Sequence, residues 1–241
     1  HEHAATWQTL GVARAHGAGY LLTDQEAHTG GGIVMRATNP HLHPPRHPAP
    51  PSINLTFQIL ITSSNAGGRG DGTGFSVSYG DLDSGVLGEY GGGTGLRVSF
   101  RSRATPSDQS VPYRMPIPPT ALSLNSDVIS VSIGSMLLRE YWLRADDPPL
   151  PASGPAGYVP IRVEYEPAHG LTVAVRGERL IQDLALPDWS PRADWSVGIG
   201  ARCAATPAQF AVRAPTLRSG LFLTGGQLGL QVTLNGHDYD G

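Results

Sequence analysis

Ile53-Asn54-Leu55-Thr56-Phe57-Gln58-Ile59-Leu60-Ile61-Thr62, then Gly74-Phe75-Ser76-Val77-Ser78-Tyr79-Gly80, then Gly91-Gly92-Gly93-Thr94-Gly95 running into Leu96-Arg97-Val98-Ser99-Phe100-Arg101: this block decides the fold. In its first member Ile53, Leu55, Phe57, Ile59 and Ile61 alternate with Asn54, Thr56, Gln58, Leu60 and Thr62. A period of two puts the first set on a buried face and leaves the second mostly wet. The glycine run Gly91–Gly95 joins two strands. It is not a phosphate loop, which needs a helix N-terminus immediately after it.

The same signal recurs outward from the block. Strands are expected at Tyr20–Thr23, Gly32–Ala37, Val128–Ile133, Met136–Arg139, Val159–Glu166, Leu171–Arg176, Trp195–Ala201, Gln209–Ala214 and Leu228–Leu234. Ile161, Val163 and Tyr165 alternate with Arg162, Glu164 and Glu166, and Leu171, Val173 and Val175 with Thr172, Ala174 and Arg176. Pro167-Ala168-His169-Gly170 between them reads as a hairpin turn. No segment sustains a helical period; Leu180–Leu186 is expected to make a short turn of helix and no more. Many short antiparallel strands with one apolar face each predict an all-β, two-sheet jelly-roll sandwich. Two proline-rich insertions, Pro40–Pro51 and Asp147–Pro155, lack apolar periodicity and read as surface loops.

Composition narrows the function classes. The chain has 241 residues, with 31 Gly, 21 Pro and a formal net charge of −3. All 17 basic residues are arginine. No polybasic surface for nucleic acid is implied, and no apolar run approaches the roughly 20 residues that span a bilayer. Cys203 is the single cysteine, so an internal disulfide is excluded and the core must carry the fold. Its alanine-rich surroundings read as a buried, inert thiol; a bridge to a segment outside this chain is the alternative. Beginning at His1, the chain is expected to be a processed chain or a segment of a longer protein. Asn54-Leu55-Thr56 is a glycosylation sequon on the polar face of its strand, which makes Asn54 a candidate glycan acceptor.

With the strand order laid out, residues from Trp7 to Leu223 resemble a concanavalin A-like (L-type lectin/laminin G-like) jelly roll. The resemblance rests on Tyr20–Thr23 with the Gly30–Gly32 run, on Phe57–Ile61 followed by Gly74–Gly80, and on Gly91–Phe100. It rests also on Ile129–Ile133, the hairpin Val159–Arg176, and Asp194–Arg202. Residues 1–223 are thus expected to form the sandwich, and 224–241 a linker or the start of a following immunoglobulin-like module. The resemblance implies a sugar-binding Asp before the first-loop glycine and a Glu and an Asp flanking the Phe of the strand Leu96–Arg101, these two ligating Ca²⁺ and a transition metal. Here those positions hold Thr73, Ser99 and Arg101, with Asp71 two residues before Thr73 as a substitute if the loop is reshaped. A guanidinium cannot ligate a hard cation, which needs six to eight oxygens. No metal or other cofactor is therefore expected, and the rim loops Gly67–Thr73 and Tyr90–Thr94 are the expected contact surface. Asp71, Thr73, Tyr90, Gly92 and Gly93 are its candidate ligand-binding residues.

Other constellations have plainer readings. Glu164 and Glu166 share a strand face, as glycosidase carboxylates could, but Arg162 beside them reads as a charged, solvated surface. His41, His43 and His47 have metal-ligand spacing inside a proline-interrupted loop. Arg69-Gly70-Asp71 matches an adhesion tripeptide that a glycine-rich turn produces by composition. Trp7, Trp142, Trp189 and Trp195 could stack on sugars; Trp195 is in strand register for the core, and Trp142 is the better candidate platform. The expectation is a non-catalytic recognition or structural module of a secreted or cell-surface multidomain glycoprotein, located outside the cell. Its partners would be a glycan, an extracellular protein or neighbouring domains of the same assembly, bound without metal, with no nucleic acid and no membrane insertion. A building block of an extracellular filament or wall is the alternative, and a glycoside hydrolase the third reading.

Overall fold

One-sided strands must bury their apolar face against another sheet, and the described residues meet that demand with fifteen strands in two antiparallel sheets. The computed structural model describes residues 7–24, 26–35, 52–63, 73–82, 87–104, 125–143, 157–191, 195–203, 207–221 and 230–233. Asp71, the Arg69–Asp71 tripeptide, His41, His43, His47 and both proline-rich insertions lie outside the described residues. The strands are β1 (Gln8–Gly11), β2 (Arg14–His16), β3 (Gly19–Leu21), β4 (Gly30–Met35), β5 (Ser52–Ser63), β6 (Thr73–Gly80), β7 (Leu96–Ala104) and β8 (Asn125–Ile133). They continue as β9 (Met136–Trp142), β10 (Val159–Glu166), β11 (Gly170–Val175), β12 (Glu178–Leu184), β13 (Ser196–Arg202), β14 (Ala208–Leu221) and β15 (Leu230–Thr233). One sheet has the order β1-β4-β13-β6-β7-β8-β9; the other runs β12-β11-β10-β5-β14-β3-β2, with β15 paired to the last residues of β14.

The core lies between the sheets. Ile53, Leu55, Phe57, Ile59 and Ile61 of β5 are all buried, as are Ile161, Val163 and Tyr165 of β10. Phe75 and Phe100 are register partners on β6 and β7 and stack with ring centroids 4.4 Å apart at 7°. Phe57 from the opposite sheet meets Phe75 edge-on at 6.2 Å, so the two sheets are pinned through aromatic rings. Tyr79, Trp189 and Trp195 make a second aromatic cluster, joined by Tyr165. Trp195 thus packs as its register predicts. Trp142 ends β9 half-buried opposite Val128.

Besides β1 and β2, which the sequence reading did not mark, β12 and β14 depart from it. Residues 178–184 form β12, not a turn of helix. Register shifts between β11 and β12 turn both Leu180 and Ile181 inward, which erases the period of two that would have revealed a strand. β14 does not stop at Ala214. It continues through Pro215 because a register shift between Arg213 and Thr216 places the proline where no ladder hydrogen bond is needed. Cys203 is a free, fully buried thiol whose Sγ donates to the Ala208 carbonyl.

Removing the ring that joins the β6–β7 pair to the facing sheet leaves a cavity the strands cannot collapse into. Phe75→Ala is expected to lower stability by about 3–5 kcal/mol, measured by urea unfolding with two-state analysis.

Candidate functional site

The outer face of the seven-stranded sheet is built from unusually small side chains. Gly32, Gly200, Ser76, Ser99, Ser130 and Glu140 are successive partners across β4, β13, β6, β7, β8 and β9. On one side of that row run Arg202, Gly74, Arg101, Val128 and Trp142; on the other, Gly198, Ser78, Arg97 and Ser132. A depression floored by glycine and serine results, and Leu82 and residues 87–95 lie on it.

Close approach explains the glycines. A Cβ on Gly200 would come within 2.6 Å of the Leu87 backbone, and one on Gly198 within 2.4 Å of the Leu87 side chain. Leu87, Leu82 and Val34 form a small apolar cluster above the sheet. Polar bonds complete the attachment: the Ser76 hydroxyl donates to the Gly88 carbonyl, and the Gly92 N–H donates to the Ser78 hydroxyl at 3.0 Å. Glu89 is buried and pairs with Arg202 at 3.6 Å. The segment is therefore fixed to the sheet at four points between Leu87 and Gly92. Gly91 turns with a φ of +75° directly over Ser78 and Arg97, a conformation and a clearance only glycine supplies.

This attachment fixes Tyr90 at the rim. Its ring is 37% exposed, and the Arg101 guanidinium lies 5.0 Å from the ring centroid. Arg101 is buried; its Nη2 donates to the Ser130 hydroxyl at 2.6 Å and reaches Glu140 Oε1 at 3.5 Å. Both side chains of this ion pair are largely out of solvent, at 6% and 7% exposure. Arg97 lies under Gly91, and burial pushes its guanidinium below the ordinary arginine range. The Nε atoms of Arg97 and Arg101 are buried and find no hydrogen-bond partner among the described residues.

Of the sequence-predicted residues, the fold brings Tyr90, Gly92 and Gly93 into one loop. Thr73 is fully buried and in phase with Phe75 and Val77, so it shares their face of β6 and not that of Gly74. Asn54 lies near the start of β5 on the other sheet, its Nδ2 donating to Glu164 at 3.2 Å. Glu164 and Glu166 also lie on that sheet, paired with Arg162 and His169. Sequence reading missed Glu89, Glu140 and Arg202. Their partnerships span tens of residues and become visible only once strand order and register are known.

Neither a family model nor a curated protein matches this chain by sequence. Solved structures do match. Lectin I-B4 from Griffonia simplicifolia, in a metal-free form, superimposes with a TM-score of 0.60 at 15% identity, over 89% of this chain and 93% of that one. A lectin from Bauhinia forficata in complex with GalNAc gives 0.57 at 15% identity, over 89% and 93%. The exoplasmic/lumenal domain of VIP36, in a form bound to Ca²⁺ and Man3GlcNAc, gives 0.57 at 14% identity, over 92% and 85%. The fold is the concanavalin A-like jelly roll. In this chain the two positions that the resemblance assigns to metal-ligating carboxylates are Ser99 and Arg101. They do not fit a cation, because a guanidinium already bonded to Ser130 and Glu140 occupies that part of the sheet. Among the described residues no three His, Cys, Asp or Glu side chains gather to hold a metal.

The buried pair has a measurable consequence. Glu140→Gln leaves the Arg101 charge buried without its counter-ion and is expected to cost about 3 kcal/mol. Arg162→Gln, which breaks the half-exposed pair with Glu164, is expected to cost under about 1 kcal/mol. Chemical denaturation of the two variants side by side checks the difference.

Proposed function

We propose that this chain is a non-catalytic recognition module that binds glycan without metal, through the rim surface made by Tyr90, Gly92 and Gly93. The observation that carries the reading is the Tyr90 ring: a large aromatic, more than a third exposed, held rigid over a guanidinium at the edge of a lectin-like sheet. An immobilised aromatic face suits a sugar ring, whose apolar face stacks on it. Little ordering entropy is spent on binding, since the loop is already attached through Leu87, Gly88, Glu89 and Gly92. The likeness to the Bauhinia lectin and to VIP36, whose structures hold GalNAc and Man3GlcNAc, supports sugar as the ligand class. Against a hydrolase stand Glu164, already paired with Arg162, and the position of both Glu164 and Glu166 on the opposite sheet from Tyr90. A location outside the cell or in a lumen, within a larger multidomain glycoprotein, accompanies this reading.

A glycan array probed with wild type and Tyr90→Ala tests it. Wild type is expected to bind a restricted set of neutral glycans, and the variant to bind them at least tenfold more weakly with an unchanged unfolding midpoint. Equal binding by the two proteins would remove Tyr90 from the site and the proposal with it.

A further inference from the structure

The eight-stranded sheet carries a second concavity that the rim site does not use. It is an open groove of about 600 Å³ on the sheet's solvent face, within the size range of ligand sites. Strand register lays its floor across five strands: Arg179 on β12, Ala174 on β11, Arg162 on β10, Thr56 on β5 and Thr216 on β14 are successive partners. Four inter-strand steps make that row about 19 Å long. Thr172 and Gln58 flank it, Gln58 being held by the Arg213 Nε at 2.7 Å.

The groove is positively charged in a chain that is not. Arg162, Arg176 and Arg179 line it against one carboxylate, Glu164, which Arg162 already neutralises. Among the described residues, Arg176 and Arg179 are exposed and have no carboxylate partner. The whole chain carries −3, so attraction of an anion to this face cannot come from overall charge. The backbone is also spent on this shape. Arg176 occupies the two-residue turn between β11 and β12 with a φ of +54°, a place that favours Asn or Gly. At the other end Ala214 has a φ of +47° in the β14 bulge. Both are left-handed conformations that non-glycine residues adopt at a cost, and both residues line the groove.

We infer that this groove binds an acidic oligosaccharide. The arginines would engage its sulfate or carboxylate groups in paired N–H contacts, while Thr56, Thr172, Thr216 and Gln58 meet its hydroxyls. The extended row of hydroxyl and amide groups from Thr56, Thr172 and Gln58 favours a sugar among anions, and the Phe57 ring at the groove is buried against Phe75 in the core, where no nucleobase can stack on it. The inference is independent of the Tyr90 site, which lies on the other sheet.

Calorimetric titration with heparin fragments, polygalacturonate fragments, neutral dextran and poly-glutamate tests it, using wild type, R176Q/R179Q and Tyr90→Ala. At least one acidic glycan is expected to bind, more weakly as salt rises, with heparin against polygalacturonate deciding between sulfate and carboxylate. R176Q/R179Q is expected to bind at least tenfold more weakly, with unchanged circular dichroism and unfolding midpoint because both side chains are exposed. Tyr90→Ala is expected to bind the acidic glycan as wild type does. Failure to bind either acidic glycan overturns the proposal. So does undiminished binding by R176Q/R179Q, or poly-glutamate binding as tightly as the glycan.

Discussion

Leu87 rests on Gly198 and Gly200 with no room for a methyl group between them, and the architecture of the seven-stranded face follows from that contact. Bringing a loop backbone against a sheet requires glycine beneath it and bonds for the polar groups it buries. The sheet supplies both, glycine on β4 and β13, serine hydroxyls on β6. The contact sets the height of residues 87–92 above the sheet, which places Glu89 beside Gly74 and Tyr90 above Arg101. A bulkier sheet would lift the segment and disperse these groups.

The second organising element is electrostatic. A guanidinium inside a fold needs its charge balanced and its donors satisfied. Arg101 obtains a carboxylate from β9 and a hydroxyl from β8 through Nη2 and lies against the Tyr90 ring, while its Nε has no partner among the described residues. Carboxylates at positions 99 and 101 would be drawn together only by a cation; Ser99 and Arg101 need none, because Arg101 carries the positive charge itself. The rim is thereby ordered in part by contacts within the protein: the Arg101–Glu140 pair, the Ser130 hydroxyl and the Tyr90 ring.

Much of this fold was legible in the sequence because one-sided burial prints a period of two. β5, β10 and β11 show it plainly, and so do Phe75 and Phe100 on the paired strands β6 and β7. β12 was not legible, since its register shift turns Leu180 and Ile181 to the same side. β2 carried no signal either, because none of its three residues is buried. At the candidate site the glycine run and Tyr90 stood out, yet nothing in the sequence near Arg101 named Glu140. The two are 39 residues apart and meet only because β8 lies between β7 and β9. The groove on the other sheet was hidden for the same reason: Arg162 and Arg179 flank Ala174 by register, not by spacing.

We propose that the rim is held by the Arg101–Glu140 pair and the glycine floor, without a metal ion. A resident cation stabilises the folded state in proportion to its occupancy, so thermal unfolding reads it directly. Calorimetric scans of the protein after chelation, in EDTA and with added millimolar Ca²⁺ and Mn²⁺, give the most direct test. One unfolding midpoint is expected under all three conditions. A midpoint that falls on chelation and climbs with metal concentration would contradict it.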